Sequence, residues 1–164
     1  MACAFLIKGC RRVFCWRLSR ISTRSSQALA GCPLVIVSEV SARTDTAAFA
    51  HIRFPALAWG EKNGTVTNSE RRISRQRSFL PPPGEAKADW WIIARMAEQL
   101  GFGAAFAWRH PHEVFSEHAA LSGFENNGQR AFDIGGLADL SREAWDNLAP
   151  VRWPVSRSGS GLDL

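Results

Sequence analysis

The chain of 164 residues is long enough for one ordinary domain, and its 46% apolar residues are enough to build a core. The net charge of +5 comes from residues 1–30, which hold six basic and no acidic residues. In residues 31–164, the other 14 basic residues face all 15 acidic ones. Nucleic-acid binding through a general basic face is therefore not expected for residues 31–164.

The first 26 residues differ in composition from the rest of the chain. They are rich in Arg and Ser and hold no acid, which is typical of a transit peptide or of sequence unrelated to residues 27–164. The four cysteines lack the short spacings of zinc and iron–sulfur ligands, so we expect reduced thiols: Cys3, Cys10, Cys15 and Cys32. No run of about 18 apolar residues exists, and no transmembrane segment is expected.

An α/β pattern begins at Cys32. The run "CPLVIVSE" is typical of a buried strand of a parallel sheet. "SARTDTAAFA" predicts a short helix capped by Thr or Asp, and "HIRFP" predicts an extended segment that ends at Pro55. Arg53 is a charge in a predicted strand beside the core, which costs several kcal/mol unless it is paired. Because one strand cannot form a sheet, this inventory indicates part of a domain.

A long polar loop is predicted over residues 59–84. The pair Asn63–Gly64 favours a turn, and Asn68 with Ser69 favours hydrogen bonds from side chain to backbone. A stiff, extended lead-in follows at the three prolines 81–83.

The cations of this loop allow two interpretations. Lys62, Arg71 and Arg72 on a turn rich in Gly, Thr and Asn form a good anion or phosphate cradle. Alternatively, the loop is solvated, with Glu61 and Glu70 pairing internally. No fixed phosphate-loop pattern decides between them.

Three helices are predicted after the loop. The first is capped by Asp89 and stopped by Gly101, the second covers residues 110–121, and Ser141 caps the third to about residue 148. The three histidines around the second helix do not share one face, so no metal site is predicted. Five tryptophans are expected to pack in the core: Trp90, Trp91, Trp108, Trp145 and Trp153. No nucleophile motif or carboxylate pair is present, and no catalytic residue is predicted.

Four stretches carry a resemblance to a known family. They are "CPLVIVSE", "TDTAAFAHIRFPALAWGEKNGTVTNSERRISRQR", "PPPGEAKADWW" and "HEVFSEHAALSGFENNGQRAFDIGGLADLSREAWDNLAPVRWPV". Over about residues 27–155 the chain resembles an internal stretch of molybdopterin-dependent oxidoreductases, in particular the catalytic subunits of bacterial assimilatory nitrate reductases. Residues 1–26 and a flexible tail at 156–164 lie outside the resemblance.

The resemblance implies a partial molybdopterin oxidoreductase domain of the α/β class. This domain has one or two parallel-type strands, three peripheral helices and the long polar loop, and is incomplete as a stand-alone fold. The implied cofactor is bis(molybdopterin guanine dinucleotide) with molybdenum. Carried over by motif, the cofactor-binding residues are Ser38, Glu39, Lys62 and Asp89, although relatives have Asp where this chain has Glu39. The family's [4Fe-4S] ligands and its molybdenum-ligand segment have no counterpart here.

The implied function is nitrate reduction to nitrite by oxygen-atom transfer in the cytoplasm. This chain is expected to hold one wall of the cofactor site and to be inactive alone, with the rest of the catalytic subunit or an electron donor as partner. Two alternatives remain open. One is a fragment of a formate dehydrogenase of the same superfamily, and the other is a small non-enzymatic basic protein that binds anions through its N-terminus.

Overall fold

The computed structural model describes residues 23–157 in full, and before them the backbone of two strands at 4–6 and 12–16. Most of the predicted tail, residues 158–164, lies outside the described residues. The chain divides into two compact units. The first is Met1–Trp59 with Leu80–Ile93, and the second is Gly60–Phe79 with Ala94–Leu164.

The first unit is built on a four-stranded sheet. Its elements are β1 (Ala4–Leu6), β2 (Arg12–Trp16), α1 (Thr23–Ala30), β3 (Leu34–Glu39) and β4 (Ile52–Pro55). The order in the sheet is β1-β2-β3-β4, with β1 antiparallel to β2 and with β2, β3 and β4 parallel. The predicted α/β class is confirmed. However, three strands are parallel where one or two were predicted, because β2 also pairs with β3 at Leu34–Ser38.

The core of the first unit lies between α1 and β3. Val35 and Val37 are fully buried and pack with Leu29 of α1. The order β2, α1, β3 is a strand–helix–strand crossover, the usual connection between neighbouring parallel strands. Alternate β-branched residues on β3 therefore fill the space under the crossover helix.

Two predictions for residues 41–55 are wrong. The predicted helix is a single 3₁₀ turn at Ala47–Phe49, where the Thr44 hydroxyl accepts a hydrogen bond from the Ala47 amide at 3.1 Å. Local bonds from Ser, Thr and Asp side chains compete with helix formation, which explains the short element. Arg53 is not beside the core. It is exposed on the edge strand β4 and donates to the Ala42 carbonyl at 3.3 Å, so the expected burial cost does not arise.

The second unit combines a small sheet with helices. Its elements are β5 (Gly64–Thr67), β6 (Arg72–Gln76), α3 (Pro111–Gly123), α4 (Arg142–Asp146), β7 (Val151–Arg152) and a 3₁₀ turn at Gly135–Leu137. Helix α2 (Asp89–Gln99) begins in the first unit and ends in the second. The strands are antiparallel in the order β5-β6-β7.

The long polar loop predicted at 59–84 contains a β-hairpin, so that prediction is wrong for residues 64–76. Three consecutive β-branched residues in β5 (Thr65, Val66 and Thr67) and Ile73 in β6 favour extended backbone, and Ile73 is buried in the core. The turn follows the predicted chemistry of Asn68, whose carboxamide oxygen accepts from the amides of Glu70 at 3.0 Å and Arg72 at 2.9 Å.

The helices of the second unit begin as predicted. The His110 side chain caps α3, with Pro111 in its first turn, and the Ser141 hydroxyl accepts from the Ala144 amide at 3.1 Å at the start of α4. Both surround one core cluster: Ile73, Phe115, Ala119, Ile134, Leu137, Ala138 and Trp145. At Gly136 a Cβ would lie 2.9 Å from the Val155 carbonyl oxygen, so only glycine fits this approach of two backbone segments.

Candidate functional site

Three of the four predicted site residues lie at one edge of the first unit. Parallel pairing aligns Glu39, the last residue of β3, with Pro55, the last residue of β4. Beyond β4, Ala56 forms a parallel bridge with Lys87, whose amide donates to the Pro55 carbonyl at 3.1 Å. Ser38 and Glu39 end β3, and Asp89 follows the bridge by two residues. The carboxyl ends of parallel strands are where α/β folds bind ligands.

Ser38 and Glu39 carry buried polar atoms that the described residues do not satisfy. Ser38 is fully buried, and its hydroxyl oxygen has no hydrogen-bond partner within the described part of the chain. One carboxylate oxygen of Glu39 accepts from the Val40 amide at 2.9 Å, whereas Oε2 is buried with no such partner there. Each unsatisfied group costs about 1–3 kcal/mol. Buried polar groups in native folds are usually satisfied by protein, water or a bound ligand, so these two atoms are available to a ligand.

Asp89 is the first residue of α2 rather than its cap. The Ala88 carbonyl accepts from the amides of Trp91 at 3.0 Å and Ile92 at 3.1 Å, which makes Ala88 the capping position. The Asp89 carboxylate therefore lies in the first turn, where the helix dipole favours a negative charge.

Lys62 belongs to the second unit. It lies between the 3₁₀ turn at Trp59–Glu61 and strand β5, and it is partly buried. The structure thus brings Ser38, Glu39 and Asp89 together in one unit, and it holds Lys62 in the other.

The neighbouring arginines do not form the predicted phosphate cradle with Lys62. The Arg71 guanidinium lies 5.4 Å from the centroid of the Trp153 ring. Arg72 donates to the Pro150 carbonyl at 3.5 Å. Both side chains therefore pack the hairpin of the second unit against the segment around β7.

Arg75, a cation of the second unit whose side chain is buried, was not singled out from the sequence. Its side chain is only 2% exposed and pairs with Asp146 at 2.9 Å, and its guanidinium lies 3.6 Å from the centroid of the Trp145 ring. Burial lowers the pKa of Arg75, against which the hydrogen bond to Asp146 acts. The run "ERRISRQR" does not predict a buried arginine, because it is rich in charged residues and looks exposed. The alternation of side chains along a strand puts Arg75 on the same face as the buried Ile73, but this is apparent only once the segment is known to be a strand.

The described residues contain neither a candidate metal-binding group nor a candidate membrane-spanning helix. Among them, no group of three His, Cys, Asp or Glu side chains is arranged to hold a metal ion. No helix in that part of the chain is long and apolar enough to cross a membrane. His112 has a structural contact instead, between its Nε2 and the Leu140 carbonyl at 2.7 Å.

His110 makes the second unit sensitive to pH. Burial lowers the pKa of His110 below its ordinary value of 6.5, and Arg142 adds to this, so the folded state favours the neutral ring whose Nδ1 caps α3. The pKa of His110 is lower in the folded chain than in the unfolded chain. The contribution of the neutral ring to the free energy of unfolding is therefore complete above the unfolded pKa, and it is lost as the pH falls from the unfolded pKa through the folded one. His110→Asn keeps a capping acceptor and does not titrate.

We therefore expect His110→Asn to flatten the pH dependence of the unfolding free energy between about pH 7 and pH 5. Urea unfolding at several pH values measures this slope. The control is His118→Asn, at an exposed position of the same helix, which should keep the slope of the unmodified chain. An unchanged slope in His110→Asn would contradict the capping role of the neutral ring.

Comparison with known proteins identifies the family of the chain. Residues 20–99 match the family model described as molybdopterin oxidoreductase. The nitrate reductase of Klebsiella oxytoca is 84% identical over 133 residues, which are 81% of this chain and 15% of that protein. The nitrate reductase of Shewanella frigidimarina is 46% identical over 137 residues, 82% of this chain and 14% of that protein.

A third relative carries a different activity in its name. The F420-dependent formate dehydrogenase subunit alpha of Methanocaldococcus jannaschii is 41% identical over 91 residues, 56% of this chain and 13% of that protein. The chain therefore matches only a small part of much longer relatives. The matched residues belong to the molybdopterin oxidoreductase family.

Proposed function

Starting from this family membership, we propose that the chain supplies one wall of the cofactor site of a nitrate reductase. The cofactor is bis(molybdopterin guanine dinucleotide), and the family motifs assign Ser38, Glu39, Lys62 and Asp89 to its binding. When bound, it supplies the metal centre at which nitrate is reduced to nitrite.

One observation carries the proposal. The buried Ser38 hydroxyl and Glu39 Oε2, which lack partners among the described residues, lie at the carboxyl ends of parallel strands. A guanine edge offers N–H donors that a carboxylate accepts well, and a hydroxyl can donate or accept. The residues present therefore fit a guanine nucleotide. Glu39 is one methylene longer than the family's aspartate, which shifts its carboxylate along the same edge.

The other two residues complete the set. Asp89 adds a second carboxylate at the edge, in the favourable first turn of α2. Lys62 provides a positive charge suited to a phosphate or pterin oxygen. Because this set only binds and orients the cofactor, and the chain spans 15% of the Klebsiella oxytoca enzyme, the chain alone is not a catalyst in this proposal. Its proposed partner is the remaining polypeptide of the enzyme, and the proposed role of that enzyme is nitrate assimilation in the cytoplasm.

Nitrate is favoured over formate as the substrate of the parent enzyme. The nitrate reductase of Klebsiella oxytoca is 84% identical over 81% of the chain, against 41% over 56% for the formate dehydrogenase subunit. The shared segment builds the cofactor site in either case, so the cofactor role does not depend on this choice.

The test replaces the matched segment of the Klebsiella oxytoca nitrate reductase with that of this chain. We expect the chimera to reduce nitrate with a reduced dye as the electron donor, and the 164-residue chain alone to show no turnover. The matching control is a chimera in which the same segment is scrambled. An inactive, cofactor-free but folded chimera would contradict the proposal, and turnover by the chain alone would contradict the one-wall role.

A further inference from the structure

Arg75 is buried in a way that secondary structure alone does not require. It lies on β6 opposite Thr65 of β5, and its side chain is 2% exposed. Taking a guanidinium out of water is costly unless its donors are used. The groups that accept hydrogen bonds from the Arg75 guanidinium therefore indicate the role of this residue.

One side of the Arg75 guanidinium holds the turn before β5. Its Nη2 donates to the Asn63 side-chain oxygen at 2.9 Å, and its Nη1 donates to the Gly64 carbonyl. These are the two residues directly after Lys62.

The other side of the guanidinium is fixed to rigid groups. Nη2 also donates to Asp146 of α4 at 2.9 Å, Nη1 also donates to the Gln76 carbonyl at 2.8 Å, and the Trp145 ring lies against the guanidinium. Trp145 is fully buried in the core cluster. Arg75 thus connects the Asn63–Gly64 turn to the core of its own unit.

We propose that Arg75 is a positioning residue for Lys62, fixing the turn that presents this lysine to the cofactor. The inference deepens the proposed function and rests on the role given there to Lys62. All four N–H groups of Nη1 and Nη2 are used, in a planar arrangement that also stacks on an indole. Lysine has neither the fork nor the flat face, so charge alone cannot replace Arg75.

The experiment uses the full chain with its lysines dimethylated with ¹³C. The chain has three lysines, Lys8, Lys62 and Lys87, so their NMR signals are assigned by single Lys→Arg variants. In Arg75→Met and in Arg75→Lys, we expect the Lys62 signal to move to the position measured in urea. The Lys87 signal, from the first unit, should keep its folded position and is the internal control.

A second variant keeps the test decisive if Arg75→Met unfolds the unit. Asn63→Ala removes a single contact of Arg75 from an exposed position. Its Lys62 signal should move part of the way in the same direction. If the Lys62 signal stays at its native position in Asn63→Ala and in folded Arg75→Lys, the positioning role is overturned.

Molybdenum content of the chimera separates a positioning role from a stabilising one. Arg75→Lys should lower the molybdenum content of the chimera several-fold. In a chimera that already carries Lys62→Ala, adding Arg75→Lys should lower the molybdenum content no further. An equal further loss in the double variant would show that Arg75 acts through stability alone. If Lys62→Ala itself leaves the content unchanged, the ligand role of Lys62 fails, while the NMR coupling of Arg75 to Lys62 is judged on its own.

Discussion

Trp145→Ala is expected to destabilise the second unit by about 3–5 kcal/mol, the range for truncating a large buried aromatic side chain. Trp145 is fully buried. The centroid of its ring lies 5.6 Å from the ring centroids of His110 and His112 and 6.3 Å from that of Phe115. The substitution also removes the surface on which the Arg75 guanidinium stacks, which is worth about 2 kcal/mol when desolvated. Because whole domains are stable by only about 5–15 kcal/mol, this unit would be marginal.

Urea unfolding followed by circular dichroism measures the loss. Trp59→Ala, the same substitution at a side chain that is 61% exposed, is the control and should cost less than about 1 kcal/mol. A loss of similar size in both variants would contradict the central place of Trp145 in the core.

Ser38→Ala is expected to act in the opposite direction on stability. It removes a buried hydroxyl that lacks a partner among the described residues, and with it a desolvation penalty, so the chain without cofactor should gain about 1 kcal/mol. Ser122→Ala is the matched control. The buried Ser122 hydroxyl donates to the Ala119 carbonyl at 2.7 Å and accepts from the Ile134 amide at 2.9 Å, so its loss should cost about 1–3 kcal/mol.

The two serines therefore compare a hydroxyl that we propose binds a ligand with one that the fold uses. The free energy of unfolding of both variants, measured in the same buffer, gives the comparison. If Ser38→Ala costs as much as Ser122→Ala, the Ser38 hydroxyl has a structural partner and its proposed role in binding is lost.

Local chemistry in the sequence was sufficient for several elements. The β-branched run at Leu34–Glu39, the start of α3 at Pro111, the cap at Ser141 and the turn at Asn68 depend on neighbours within a few residues, and the structure has all of them. Such features are set by backbone preferences and short-range hydrogen bonds, which a single sequence displays.

Features that depend on distant partners were not predictable. The charged residues around β5 and β6 obscure the alternation of buried and exposed side chains. Arg75 is buried through contacts with Asp146 and Trp145, which lie about 70 residues away in sequence. One or two parallel-type strands were predicted, and the pairing of β2 with β3 was missed because nothing local in residues 12–16 indicates it. For the site, the motifs supplied Ser38, Glu39, Lys62 and Asp89, but only the structure reveals which atoms of Ser38 and Glu39 are buried at the end of β3.

The most direct test of the cofactor role is the molybdenum content of the chimera carrying Ser38→Ala with Glu39→Gln. Its control carries Ser69→Ala with Glu70→Gln, the same pair of residues in the exposed hairpin turn. Losing two hydrogen bonds, one of them to a charged group, should lower the molybdenum content at least about tenfold, with the control unchanged. Equal molybdenum in the two proteins would contradict a cofactor site at the carboxyl end of β3.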